Sequence, residues 1–186
     1  GYTPYDIQEK AQQLPAGDCG SLTILESATG SGKTEGAIGR FLRLLQRGEV
    51  DSMYFALPTR SAATQLHGRV RESVRRTFET PPPVHLAVPG YFKVDDTEGQ
   101  RFGFDVRWDE PVGARGWAAE SSKRYTASPI AVGTVDQVLL SALRTNHSHL
   151  RTAGLSRSLL VVDEVHASSV YMNELLHDVL SFHRAS

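Results

Sequence analysis

The chain has 186 residues, which is enough for one domain with a sizeable hydrophobic core and short for two. Apolar residues make up 40% and charged residues 22%, shares that are typical of a soluble globular protein. The net charge of −1 excludes a positive field over the whole surface, so any site for a polyanion must be local. The single cysteine, Cys19, excludes an internal disulfide, and no apolar stretch is as long as a membrane span. We therefore expect a cytoplasmic protein.

Three predicted elements surround a glycine-rich segment near the N-terminus. Apolar residues at helical spacing from Pro4 to Leu14 predict a helix, which Pro15 ends. Ser21–Glu26 is an apolar run that predicts a buried strand, and Ala37–Gln46 has helical spacing again. The segment between this strand and this helix is the pattern around which the chain is organised.

Residues 27–34, SATGSGKT, have the spacing of a phosphate-binding loop. Gly30 and Gly32 let successive N–H groups point into one concavity, and the following helix adds the positive end of its dipole. Lys33 would reach the β- and γ-phosphates of a nucleotide, and the Thr34 hydroxyl would hold Mg²⁺. The predicted phosphate-binding residues are Thr29, Gly30, Ser31, Gly32, Lys33 and Thr34. The alternative, a glycine-rich hairpin or flexible loop, is disfavoured because the strand and the helix are both predicted.

Further along the chain, Ser52–Leu57 is predicted to be a second buried strand and Ser61–Phe78 a long helix. Val84–Val88 predicts a short third strand. From Pro89 to Ala127 the periodicity is lost, and we expect an irregular insertion that contains a short helical or hairpin element.

Thr59 and Arg60 follow the end of the second predicted strand, where open α/β sheets place their ligands. They are therefore candidates for contact with a ligand. The arginines on one face of the next helix, at positions 69, 71, 75 and 76, fit a solvated face better than a ligand site.

The last third of the chain predicts two more strands, Ser128–Gly133 and Ser158–Val162. Thr134 and Gln137 have the spacing of a capping box, which predicts a helix that runs through Leu143. A helical pattern resumes at Val170. Because strands alternate with helices, we predict an α/β fold with a mainly parallel sheet and helices on both faces.

Asp163 and Glu164 come directly after the last predicted strand. The carboxyl ends of parallel strands meet at one edge of a sheet, so Asp163 is expected to approach the Mg²⁺ held by Thr34. Phosphoryl transfer to water also needs a group that orients or deprotonates the water, and we assign this role to Glu164. The two acids complete a predicted site for nucleotide hydrolysis.

Four segments in this order, SATGSGKT, ALPTR, VGT and DEVH, resemble motifs I, Ia, Ib/Ic and II of the superfamily two DExH helicases. The longer segments YFALPTRSAATQ, SPIAVGTVDQVLLSAL and VVDEVHASSVYM are similar to the CRISPR-associated helicase-nuclease family of type I interference, the Cas-three family. The resemblance covers nearly the whole chain and is weak from Pro89 to Gly113. It implies a RecA-like P-loop domain of an ATP-dependent DNA helicase that uses Mg²⁺ and moves along single-stranded DNA.

The resemblance also implies roles for single residues. Gln8 would read the adenine edge, although Gln12 or Gln13 could be the matching residue. Lys33, Thr34, Asp163 and Glu164 would have the roles described above, and His166 would couple the nucleotide state to DNA contact. The residues that would grip the DNA backbone are Thr59, Arg60 and Thr134.

The family joins this domain to a metal-dependent HD nuclease and to a second RecA-like domain, and the parent protein would meet a guide-RNA surveillance complex. We expect residues 1–186 to be the first RecA-like domain, with 89–127 as an insertion, and to end before its last strands. Without an arginine finger, turnover of the isolated chain is expected to be roughly 10³- to 10⁵-fold lower. A DExH helicase or translocase acting on RNA or duplex DNA would share the ATP chemistry. A nucleotide-gated binding module would have no need for Glu164.

Overall fold

The computed structural model describes residues 6–15, 17, 20–28, 30–143, 145–164 and 170–185. Within these residues, seven strands form one sheet, with six α-helices and two 3₁₀ turns around it. The helices are α1 (Asp6–Gln13), α2 (Lys33–Gln46), α3 (Arg60–Thr77), α4 (Val135–Leu139), α5 (Ser148–Leu155) and α6 (Val170–Ala185). The strands are β1 (Ser52–Leu57), β2 (Val84–Ala87), β3 (Phe92–Val94), β4 (Thr97–Phe102), β5 (Asp105–Trp108), β6 (Ile130–Thr134) and β7 (Ser158–Val162), and the 3₁₀ turns are Gly113–Gly116 and Tyr125–Ala127.

The sheet has the strand order β5-β4-β3-β2-β6-β1-β7. β2, β6, β1 and β7 are parallel, with Phe55 of β1 level with Val132 of β6 and Val161 of β7. Each of these four strands is an apolar run in the sequence, as expected for strands covered on both faces. The predicted α/β fold with a mainly parallel sheet is confirmed.

Two hydrophobic clusters cover the two faces of the parallel strands. On one face, α2 and α3 pack Phe41, Leu66 and Val70 against Met53 and Phe55. On the other face, α4, α5 and α6 pack against β1 and β6, with Tyr54, Tyr125 and Val138 buried among them. The alternation of side chains along β1 thus anchors helices on both sides of the sheet.

The insertion is more regular than its sequence predicts. β3, β4 and β5 form an antiparallel meander that extends the sheet beyond β2. Its strands have few buried side chains, because one face of an antiparallel extension can stay in water, and this explains why no apolar period was visible.

The predicted strand Ser21–Glu26 is wrong. Residues 20–28 form no strand, and Leu22 and Ile24 are exposed at 60% and 76%. A strand needs a neighbour to accept its backbone hydrogen bonds, and none of the described strands pairs with this segment. The apolar pattern predicted a strand because it shows the local preference of the segment. It carries no information on whether a neighbouring strand is present.

Two features of the last third differ from expectation. α4 has only five residues, and the side chain of Thr134 makes no capping bond, so the predicted capping box and the helix through Leu143 are wrong. β7 has the predicted bounds but is an edge strand, with most of its side chains only half-buried.

Candidate nucleotide-binding site

The glycine-rich loop lies at the carboxyl edge of the parallel strands. The end of α2 leads through a short turn into the start of β1, and Arg157, just before β7, donates hydrogen bonds to Asp51 and to the carbonyl of Gly48 in that turn. The turn therefore marks the amino edge. α2 packs along the sheet for 14 residues, about 21 Å, which is about the length of β1. Its N-terminus, with the loop, consequently reaches the opposite edge.

The loop has the backbone that its glycines were predicted to allow. Gly30 has φ 80° and Gly32 has φ 82°, both in the left-handed region that side chains disfavour. Gly32 is the N-cap residue of α2, and its carbonyl accepts the first helical bond from Gly36 N at 2.9 Å. The first N–H groups of a fourteen-residue helix therefore open toward the loop, as a phosphate site requires.

Lys33 and Ser31 show that this loop suits an anionic ligand. The Lys33 ammonium donates to the carbonyls of Ser27 at 2.8 Å and Ala28 at 3.0 Å, so the cation lies within the loop. The Ser31 hydroxyl is buried without a hydrogen-bond partner among the described residues. A cation, an unused hydroxyl and helix N–H groups are the donors that bind a polyphosphate.

Gln8 is held against this loop. It is 3% exposed, and its Nε2 donates to the Gly32 carbonyl at 3.4 Å. α1 packs closely against α2 here, and a Cβ at Gly36 would lie 3.5 Å from the Cα of Gln8, which is ordinary van der Waals contact. Gln12 lies over Gly39 and Gln13 is exposed, so Gln8 is the glutamine of α1 that contacts the loop.

No role was predicted for Arg40 from the sequence, although it holds α1 in place. It is a cation on the apolar face of α2, 5% exposed, and burial lowers the pKa of its guanidinium. Its Nη1 donates to the carbonyls of Ala11 at 3.1 Å and Leu14 at 2.7 Å. Arg40 thus binds the C-terminal carbonyls of α1. The sequence feature that could have identified Arg40 is its charge at a position on the apolar face of the predicted helix.

The acidic pair follows β7 at the carboxyl edge. Asp163 N donates to the carbonyl of Ala56 in β1 at 3.0 Å, which keeps Asp163 in line with the parallel ladder. Its Oδ1 accepts from Glu164 N at 2.9 Å. Glu164 is exposed and has φ 52°, a left-handed conformation that is uncommon for a residue with a side chain. Such strained residues cluster at functional sites.

The predicted nucleic-acid residues differ in accessibility. Thr59 and Arg60 are exposed beyond the end of β1, and the Thr59 hydroxyl accepts from Ala62 N at 3.1 Å as the cap of α3. Thr134 is 4% exposed, so its side chain is inside the fold. The other four arginines of α3, at positions 69, 71, 75 and 76, form ion pairs, of which Arg69 with Glu35 at 2.7 Å joins α3 to α2.

Two predicted residues, Thr29 and His166, lie outside the described residues. The described part of the chain contains no group of three or more His, Cys, Asp or Glu residues that could hold a metal by itself. Mg²⁺ commonly takes one or two protein oxygens and completes its shell with water and substrate phosphates. Thr34 and Asp163 therefore fit Mg²⁺ that arrives with a nucleotide. Within the same residues, no helix is long and apolar enough to span a bilayer.

A model of the family described as "Type III restriction enzyme, res subunit" matches residues 7–181. The chain belongs to this family. Within it, the chain is similar to the CRISPR-associated endonuclease/helicase Cas3 of Escherichia coli, with 35% identity over 97% of this chain and 20% of that protein. The Cas3 of Thermus thermophilus is 36% identical over 98% of this chain and 20% of that protein. The predicted resemblance to Cas3 helicases is confirmed.

Solved structures of similar proteins agree with the sequence match. The crystal structure of T. fusca Cas3-AMPPNP has a TM-score of 0.73 and 30% identity, covering 98% of this chain and 20% of that one. T. fusca Cas3-ADP has a TM-score of 0.67 and 32% identity over 86% of this chain and 17% of that one. The chain thus spans about a fifth of the length of these relatives. It has the fold of their helicase motor domain.

Proposed function

We propose that the chain is the ATP-binding first motor domain of a helicase-nuclease that hydrolyses ATP to move along single-stranded DNA during CRISPR interference. The observation that carries the proposal is the topology of the carboxyl edge. The loop of Gly30 and Gly32, with Lys33 inside it, and the acids that follow β7 are at this edge. One relative is named as a helicase, and two of the solved structures are complexes with ADP and AMPPNP. These names support the same function.

Each residue of the proposed site has a chemical role in hydrolysis. The Lys33 ammonium would bind the β- and γ-phosphates in place of the carbonyls of Ser27 and Ala28. Thr34 and Asp163 would hold Mg²⁺, which neutralises phosphate charge when bound. Glu164 would accept a proton from water while the water oxygen bonds to the γ-phosphorus and the bridging oxygen leaves with ADP. His166 would link this site to the DNA contact.

Two contacts extend the proposal beyond hydrolysis. Gln8 is next to Gly32 and can offer its amide to the adenine edge, which would select ATP. Thr59 and Arg60 are exposed on the same edge and can hold phosphates of a single strand without reading its sequence. The guide-RNA complex, the HD nuclease and a second RecA-like domain are the proposed partners of this domain.

The test uses the full-length protein that contains this sequence. It measures ATP hydrolysis with and without single-stranded DNA. Lys33→Ala should lower kcat/KM by about 100-fold or more, because a cation that stabilises transition-state charge is lost. Glu164→Gln should keep ATP binding and lower kcat by about 10² to 10⁴. Lys10→Ala, an exposed lysine on α1, is the control and should behave as wild type. DNA-stimulated turnover that survives Lys33→Ala would refute the proposal, and turnover that survives Glu164→Gln would refute the role of Glu164. ATP binding by the wild type with no turnover would leave a nucleotide-gated binding module.

A further inference from the structure

The hairpin of β4 and β5 has a turn that the nucleotide site does not use. β2 ends at the carboxyl edge, and each of the next strands reverses direction, so β4 runs back toward that edge. The turn between β4 and β5, Gly103–Phe104, is therefore on the same edge as Thr59 and Arg60. Four strand spacings, about 19 Å, separate β1 from β4 across the sheet.

Aromatic side chains are exposed around this turn. Phe104 is 103% exposed, so it contacts nothing that would stabilise the fold. Phe102, the last residue of β4, is about half exposed. Apolar rings grouped on a surface usually mark an interaction site.

Arginines stack on rings of the insertion. The guanidinium carbon of Arg107 lies 4.9 Å from the ring centroid of Phe102. Arg101 stacks on Phe92 at 5.1 Å. Aromatic rings combined with guanidinium groups provide stacking for bases and charge for phosphates, which is how proteins bind single strands without sequence preference.

The charges of the insertion are divided between the two edges of the sheet. The turn between β3 and β4 and the end of β5, at the amino edge, carry most of the acids of the insertion: Asp95, Asp96, Glu98, Asp109 and Glu110. At the other end of the hairpin, Arg101 and Arg107 outnumber the one acid, Asp105. The hairpin end that carries the turn is thus locally positive although the insertion as a whole is not.

We propose that this turn binds single-stranded nucleic acid, with bases stacked on Phe104 and Phe102 and phosphates paired with Arg107. The strand would continue along the carboxyl edge from Thr59 and Arg60 to the hairpin. This inference rests on the proposed function, which brings a single strand to Arg60.

The experiment measures fluorescence anisotropy of a fluorescein-labelled oligothymidylate of about 20 nucleotides with the full-length protein, without nucleotide. Phe104→Ala should raise Kd about tenfold or more, because one stacked base is lost. Arg107→Gln should raise Kd and reduce the slope of log Kd against log salt by about 0.7. Phe182→Ala, which removes an exposed ring from α6, and Arg76→Gln, which removes an exposed cation from α3, should match wild type.

The outcomes separate this inference from the proposed function. If Arg60→Ala weakens binding while Phe104→Ala and Arg107→Gln stay within about twofold of wild type, the hairpin is not on the path and the inference is wrong. If hairpin variants keep their oligothymidylate affinity but lose a protein partner in a pull-down, the surface binds protein and the inference is again wrong. ATP hydrolysis that depends on Lys33 would stand in both cases.

Discussion

At Gly133 the sheet leaves no space for a side chain. A Cβ there would lie 2.4 Å from the carbonyl oxygen of Ala87 and 2.4 Å from the hydroxyl of Tyr54. Tyr54 is buried and its hydroxyl donates to the Thr134 carbonyl at 3.3 Å, so it is held in place. Packing therefore requires a glycine at position 133, in the segment GTVDQ. The family resemblance alone does not give this reason.

We predict that Gly133→Ala lowers the free energy of unfolding by about 1 to 3 kcal/mol, because backbone and a buried tyrosine must move. Gly68→Ala is the matched control. Nothing lies within 4 Å of its would-be Cβ, and it is inside α3, so alanine should raise stability by about 0.4 to 1 kcal/mol. Guanidinium unfolding of both variants measures the difference, and equal midpoints for Gly133→Ala and wild type would contradict the packing argument.

At the scale of elements, α1 is held by α2 through a buried cation. Arg40 binds two carbonyls at the end of α1, and Gln8, earlier in the same helix, contacts the phosphate loop. The position of α1, and with it the proposed adenine contact, therefore depends on Arg40.

Replacing Arg40 with methionine should lower the free energy of unfolding by about 1 to 3 kcal/mol, since buried carbonyls lose their donor. Amides of α1 should exchange hydrogen faster, and ATP affinity should fall through Gln8. Arg43→Met, on the exposed side of the same helix, tests whether charge alone matters. Unchanged exchange in α1 for Arg40→Met would show that the helix is held by other contacts.

The sequence predicted elements best where the pattern and the environment agree. β1 and β7 have the predicted bounds, and α3 is offset by one residue, because continuous apolar runs and the period of an amphipathic helix are clear patterns. Ser21–Glu26 has the same kind of pattern but no partner in the described sheet. The buried positions of Gln8 and Arg40 were not predicted, because long-range contacts of polar side chains leave no period.

For the whole molecule, burial of histidines links stability to pH. His67 and His85 are 2% and 1% exposed, and their Nε2 atoms lie 3.0 Å and 2.6 Å from the carbonyls of Val84 and Arg115. Burial lowers the pKa of both below the ordinary value of 6.5. Below pH 6.5 the unfolded chain therefore binds protons that the folded chain does not.

Stability should be fully present above about pH 6.5 and fall as the pH drops below that value, by at most about 1.4 kcal/mol per pH unit for each histidine. His67→Gln and His85→Gln should each flatten this dependence. His177→Gln, on the exposed side of α6, should not. Guanidinium unfolding at several pH values gives the slope, and a fold that gains stability on acidification in this range would contradict the sign.

The candidate site was largely predictable because its residues stand next to strand and helix ends in the sequence. The loop and the acids were assigned to one edge from the alternation of elements, and the topology puts both there. The hydrogen bonds from Lys33 to two carbonyls of the loop could not be predicted, because the sequence gives no atomic distances.

The central claim is that Lys33 and Asp163 hold the same magnesium nucleotide. Calorimetric titration of the full-length protein with ATP and Mg²⁺ tests it most directly, using wild type, Lys33→Ala, Asp163→Asn and the double variant. We predict measurable binding to wild type, weaker binding to each single variant, and a double variant whose loss is not the sum of the two. Absence of binding to the folded wild type, or an Asp163→Asn variant with unchanged affinity and unchanged dependence on Mg²⁺, would contradict the claim.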